Sequence, residues 1–395
     1  MKLRPESAAM TVMLAVLISI GPLSTDMYLP SLPWIARDLG ASDAGTQLTL
    51  SLFLVGFAIG QIAYGPISDK FGRKPVLLCG LGLFLFATFL CTIARSIDLL
   101  IAARFCQAVG ACASVVLARA IVRDLFEAER AARTLSFMGA LMGAVPAVAP
   151  ILGAALQSAF GWRASFAAVV LIGSMVFLFV AFCLPETIRT RTAAPLSFRS
   201  LFGSFAALVR NRDYRRYVYA TGFSYGGLFA FISGSSFVFQ NHYGMSTRGF
   251  GLIFATAVIG YICGTLLGAR LTTRHGIERT LRLGAVILAA GGTAMLILVG
   301  YGPQGHWQVL GPMIVYMAGV GLTLPQSTAG ALSPFPERAG AASSLLGFVQ
   351  MTFGAAVGIG VGQTLDHGPW ALAIAIGGLS LLNLALVLGR PAPGR

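Results

Sequence analysis

Charge is scarce in this chain: 11% of its 395 residues are Asp, Glu, Lys or Arg, where a soluble domain carries ~25%. With 56% hydrophobic residues and a mean hydropathy of +0.80, that scarcity excludes a soluble fold and leaves a polytopic membrane protein. Lysine is nearly missing. Only Lys2, Lys70 and Lys74 occur, none of them in G-x-x-x-x-G-K-[ST], which excludes a phosphate loop and with it an ATP-driven pump. The histidines (His242, His275, His306, His367) fall in loops or at span edges, so no nucleophile–base arrangement is expected in the membrane and the chain does not read as an enzyme. C-x-x-C spacing is absent too. Cys79, Cys91, Cys106, Cys112, Cys183 and Cys263 all lie inside apolar spans and read as small packing residues, with no disulfide and no metal site expected. No cofactor is expected.

A net charge of +14 would suit nucleic acid if it were clustered, but the charges are confined to short loops between apolar spans, as in a positive-inside membrane protein. No nucleic-acid partner is therefore expected. Apolar runs cover about Ala8–Ile35, Thr46–Ile67, Val76–Ala94, Leu99–Ala120, Thr134–Phe160, Ala164–Leu184, Tyr217–Phe239, Phe250–Leu271, Leu281–Tyr301, Val309–Ala331, Ala341–Leu365 and Trp370–Leu388. Each suffices for a crossing at ~20 residues, which gives an all-α protein of twelve spans. The first run follows two positive charges but is too long for a signal h-region and contains Asp26, so it is expected to be retained. Placing both termini in the cytoplasm puts about 23 of the 28 Lys/Arg on the inner side, with Arg37, Arg95, Arg163 and Arg248 outside and Arg104 in the membrane.

The longest connection, about Pro185 to Arg216, carries seven arginines and splits the spans six and six: residues 1–184, a cytoplasmic linker 185–216, and residues 217–395. Phe198–Phe202 reads either as an interfacial amphipathic helix or as plain basic linker. The halves look like weak repeats. An offset of 204 carries Gly56, Gly60, Lys70 and Gly72 onto Gly260, Gly264, Arg274 and Gly276, as two six-helix bundles with a site between them would show.

One carboxylate stands apart from the loop and edge acids. Asp26, in Ser24-Thr25-Asp26-Met27-Tyr28-Leu29-Pro30, lies within the first span, where a charge costs ~2.5–3.5 kcal/mol and faces a partner or a wet cavity. Pro22 and Pro30 could instead end the helix early and leave it at the outer surface. Arg104 sits at comparable depth in span 4, about a turn and a half from its outer end; the bland alternative is an arginine snorkelling outward. Between spans 2 and 3 the chain reads Gly65-Pro66-Ile67-Ser68-Asp69-Lys70-Phe71-Gly72-Arg73-Lys74, a glycine-turned loop in which Asp69 can act as a charge latch. Span 5 carries Gly139, Gly143, Pro146, Pro150 and Gly153. Prolines among small residues bend a membrane helix, and pairs such as Gly139/Gly143 and Gly354/Gly358/Gly362 let helices approach closely.

These signals together resemble the major facilitator superfamily. The loop Gly65–Lys74, Arg104-Phe105-Cys106-Gln107-Ala108-Val109-Gly110 and Ala149-Pro150…Gly153 look like its loop, proton-coupling and antiporter motifs. The last is associated with the twelve-helix drug/H⁺ antiporters. Asp26–Pro30, Thr49-Leu50-Ser51, Gly72–Pro75, Gly161-Trp162-Arg163 and Gly222–Tyr225 are similar to the Bcr/CflA branch of bicyclomycin and chloramphenicol exporters. Ala149 and Ala154 stand where glycine is common, and span 1 has no second acid, so a single coupling acid is the simpler expectation. The resemblance implies a monomeric, proton-coupled multidrug exporter of the bacterial inner membrane working by alternating access. An exporter of a small metabolite such as an amino acid, a proton-coupled importer and a passive facilitator remain open. Asp26 and Arg104 would pair across spans 1 and 4 when Asp26 is ionised. Tyr28, Gln107, Ser114, Tyr225, Phe229, Tyr261 and Gln350 would line a pocket for small amphipathic substrates, its aromatic walls carrying a few polar groups.

Overall fold

The computed structural model describes residues 7–188, 198–302 and 305–389. Both chain ends and the linker stretch 189–197 lie outside the described residues. Long apolar runs in lipid must satisfy every backbone N–H and C=O internally, and helices do so here; no strand occurs among the described residues. In chain order they are α1 (Ala8–Asp26), α2 (Leu32–Asp38), α3 (Asp43–Phe71), α4 (Arg73–Ile93), α5 (Ile97–Leu125), α6 (Ala128–Phe160), α7 (Arg163–Cys183), α8 (Phe198–Arg210), α9 (Arg212–Phe237), α10 (Thr247–Gly300), α11 (Trp307–Leu332), α12 (Ala339–Gln363) and α13 (Pro369–Leu388). Their starts are written locally. Ser42, Ser96, Asn211 and Ser246 each accept a hydrogen bond from a first-turn N–H, filling donors that a helix leaves open.

Among the described residues eleven segments are long and apolar enough to cross a membrane, α1 and α2 counting as one. The 54 residues of α10 would span ~80 Å at 1.5 Å per residue, against a hydrocarbon core of ~30 Å. Gly276, with φ 80° and ψ 171°, breaks that helix. The chain doubles back there: Gly264 before the break packs on Ala318 of α11, and Gly284 after it on Leu322 and Thr323. Two crossings thus replace one, and the count is twelve. α9 begins at Arg212, inside the stretch that hydropathy assigns to the linker. α8 forms and lays Phe205 and Leu208 against Tyr214, Val218, Leu345 and Leu346.

The repeat is visible in the packing. Gly56 and Gly60 of α3 meet Phe105 and Cys112 of α5, while Gly260 and Gly264 meet Ile314 and Ala318 of α11. Gly72, with φ 103°, turns the chain after α3 as Gly276 does within α10, and both conformations favour glycine. The halves meet along two seams, α3 with α12 and α6 with α10. In the first, Gly354 lies against Leu54 and Tyr225, Gly358 against Ser51 and Phe229, and Gly362 against Gln47. In the second, Gly251 lies against the Pro150 carbonyl and Ala154. The expected close approach at Gly139/Gly143 is not made: nothing lies near a Cβ at Gly139, and the nearest atom to one at Gly143 is on Tyr261 at 3.8 Å. The reason is geometric. α6 is mostly exposed or half-buried from Glu129 to Val148, and it meets Gly251 of α10 at Pro150 and Ala154, so along this seam the halves close at one end and splay at the other. The closed end holds all four tryptophans, with Trp34, Trp307 and Trp370 exposed, as suits a membrane interface. The splayed end carries Lys70, Arg73 and Lys74.

Candidate functional site at the break in the first helix

α1 runs through Pro22 and stops at Asp26. The residue whose N–H would bond the Asp26 carbonyl in a continuing helix is Pro30, which has none. The chain therefore tightens into a 3-10 turn, Leu29–Ser31, before α2 resumes. Asp26 closes α1, 5% exposed, inside the apolar segment Ala9–Asp38. A Cβ at Gly153 of α6 would overlap the Met27 carbonyl, so that glycine lets α6 press directly on the break. Gly153→Ala should lower stability by about 1–3 kcal/mol, read as a fall in detergent melting temperature. Gly139→Ala, facing open space, should leave it within about 0.5 kcal/mol.

A stopped helix leaves carbonyls without partners, and Arg104 takes one of them. Its Nη1 donates to the Ser24 carbonyl at 3.1 Å and to Gln107 Oε1 at 2.5 Å. Gln107 in turn donates to Thr88 at 2.8 Å. The guanidinium is 0% exposed and lies between the rings of Tyr28 at 4.4 Å and Phe53 at 4.3 Å, with Phe166 at 5.9 Å. Its Nε and Nη2 make no hydrogen bond among the described residues, and a desolvated cation–π contact is worth about 2 kcal/mol. Tyr28 is pinned by a 2.9 Å bond to Thr49.

The Asp26–Arg104 ion pair is not made in this conformation. No ion pair or hydrogen bond to the Asp26 carboxylate occurs among the described residues, although Arg104 lies near enough to act on its charge. Tyr225 of the second half lies within the same electrostatic reach. Its ring stacks on Phe229 at 6.3 Å, and its hydroxyl meets Met351 Sδ at 3.8 Å. Tyr225 packs with Phe229 and Met351 and lies against Gly354 of the α3–α12 seam, where the halves meet. Tyr261 and Gln350 are half-buried on α10 and α12. Tyr28 and Gln107 serve Arg104 within the first half, and Ser114 is buried there with its hydroxyl unpartnered among the described residues.

At the splayed end Arg73 gathers the loop. It donates to Asp69 at 2.5 Å, Ser68 at 2.6 Å and Asp124 at 2.9 Å. Lys74 donates to the Ala181 carbonyl at 2.7 Å, and Glu186 accepts from the Arg73 and Lys74 N–H groups at 3.0 and 3.3 Å, capping α4 from beyond α7. Lys70 lies 5.6 Å over the Phe71 ring, and Gly65 faces open space. Asp124 and Glu186 escape a reading by spacing because they reach this loop only through the fold; a carboxylate at each basic helix end is their sole trace. Phe53, Thr88 and Met351 carry no sequence signal beyond being ordinary span residues.

The chain matches the model of the Major Facilitator Superfamily over residues 14–359. It is 36% identical over 368 residues to the uncharacterized MFS-type transporter YdgK of Bacillus subtilis, covering 91% of this chain and 90% of that one. It is 33% identical over 345 residues to the bicyclomycin resistance protein homolog of Haemophilus influenzae (87% and 86%), and 30% identical over 352 residues to multidrug resistance protein D of Escherichia coli (88% and 86%). Among solved structures, the nucleoside transporter NupG superposes with a TM-score of 0.74 at 15% identity, covering 96% of this chain and 98% of that one. The human organic anion transporter MFSD10 does so at 0.71 and 19% (97% and 100%).

Proposed function

The chain belongs to the major facilitator superfamily, and we propose from that premise that it is a proton-coupled exporter of small amphipathic compounds in a bacterial inner membrane, on the Bcr/CflA branch. The membrane transporter is the family's general character; the cargo and the coupling rest on the site. The observation that carries them is Asp26, a buried carboxylate without an ion-pair partner among the described residues, within electrostatic reach of Tyr225, which packs with Phe229 and Met351 where the two halves meet. The names of the bicyclomycin and multidrug resistance relatives support the substrate class.

The protein's own residues then do the following. Ionised, Asp26 offers a carboxylate to a cargo resting on the Tyr225–Phe229 face; protonated, it releases that cargo. Substrate and proton compete for one oxygen pair while the halves rock about it. Arg104 keeps the half-helix end in place throughout. Collapsing the pH gradient in vesicles while following uptake separates the rivals: an exporter stops, a facilitator is indifferent, and an importer reverses. Screening drugs and small metabolites for resistance in a pump-deficient cell supplies the substrate.

We assign the splayed, basic end to the cytoplasm, with the chain ends on that side. Single cysteines placed in 185–216 of a cysteine-free chain should resist an impermeant thiol reagent in intact cells and react in inverted vesicles. Labelling from outside contradicts the orientation. At the same end, Asp69 bonds only within its own half here. If it grips the second half in the other conformation, Asp69→Asn should cut transport several-fold while protein level stays near normal, since an exposed pair adds ~0–1 kcal/mol to stability. Unchanged cavity accessibility in that variant removes the latch.

A further inference from the structure

The first helix of each half loses α-helical geometry at the tryptophan end, and the two irregular turns meet. In the first half this is the 3-10 turn Leu29–Ser31 beyond Asp26; in the second, α9 passes into a π-helical turn, Val238–His242. Such turns within helices frequently mark functional positions. Gln240 on that turn donates to the Pro30 carbonyl at 2.9 Å, and its Oε1 accepts from Thr247 at 3.0 Å. Pro30 has a carbonyl to offer because the next 3-10 donor would be Pro33, which has no N–H. Thr247 also accepts from Trp34 Nε1 at 3.0 Å. The neighbouring Asn241 donates to Asp43 at 3.2 Å and accepts from Arg37 at 3.5 Å. Each bond to Pro30, Trp34, Arg37 and Asp43 joins one half to the other.

The same end encloses polar atoms that have no hydrogen-bond partner among the described residues: Ser31 Oγ, Gln47 Oε1 and Ser235 Oγ. Water would satisfy them on opening, so burying them works against closure. A few bonds hold the end shut against that standing cost, as in an element with two discrete arrangements.

We propose that the π turn of α9, through Gln240 and Asn241, is the gate at the tryptophan end, and that its hold on Pro30 ties the gate to the helix break that carries Asp26. This rests on the transport reading and on the orientation assigned above, and its first test needs no substrate. Ser51 is fully buried on α3 against α12, and a reagent arriving at the tryptophan end reaches it only if the halves part. In a cysteine-free full-length chain carrying Ser51→Cys, adding Gln240→Ala with Asn241→Ala should speed labelling by an impermeant maleimide in intact cells on the order of tenfold, with the melting temperature near that of the parent. Should that variant misfold, Thr247→Ala removes only the bridging hydroxyl and should speed labelling several-fold. Unchanged labelling in a folded variant overturns the gate. Conversely, Arg37→Cys joined to Asn241→Cys by a short cleavable cross-linker should halt export until the linker is cut; export by the cross-linked protein also overturns it. Faster labelling in a chain that moves no drug upholds the gate and removes the exporter reading.

Discussion

Asp26→Asn protein should fold, reach the membrane in near-normal amount and lose export against a gradient. Asparagine keeps the shape of the side chain and resembles its protonated form. The carboxylate has no hydrogen bond or ion pair among the described residues, so the substitution strands no partner; breaking a buried ion pair would have cost ~3–5 kcal/mol. What it removes is the capacity to exchange a proton. Downhill exchange can persist while uphill export falls to background, a loss at least as large as the gradient the parent sustains. A variant that melts several degrees lower at normal activity would instead mark Asp26 as a structural group.

Arg104→Ala should fail in the opposite manner, through stability as well as transport. It empties a cage built from Tyr28, Phe53 and Phe166 and leaves the Ser24 carbonyl and Gln107 Oε1 without their donor. Each stranded buried acceptor costs ~1–3 kcal/mol, and the lost cation–π contacts add about 2 kcal/mol. Little folded protein is expected at normal growth temperature. Arg104→Lys keeps the charge but not the planar guanidinium that lies between two rings; it should fold with a lowered melting temperature and transport poorly. Normal melting and transport in Arg104→Ala would show the cage to be incidental.

The architecture was legible because lipid leaves so little choice. Twelve apolar runs become twelve crossings even where the backbone runs two together, and the offset of 204 that aligns Gly56 with Gly260 places each against the matching helix of its half. The site was legible in height and not in rotation. Hydropathy set Asp26 and Arg104 at similar depth but could not say which way each faces; Arg104 turns to the Ser24 carbonyl and makes no ion pair with Asp26. Tyr28 and Gln107 lie at the expected level yet serve the arginine. Small residues at Gly139 and Gly143 permit an approach without stating that a given conformation makes it. The π turn bearing Gln240 and Asn241 leaves no periodic trace at all, because one inserted residue does not alter hydropathy.

The most direct test of the central claim is proton release on binding. A drug identified by the resistance screen is added to detergent-solubilised protein in weak buffer with a pH dye, across a series of starting pH values. The parent protein should release a proton as the drug binds, with an amplitude that peaks where Asp26 is half-protonated, and folded Asp26→Asn should bind with none released. Equal proton release from the two proteins, or uphill export by Asp26→Asn, contradicts the account.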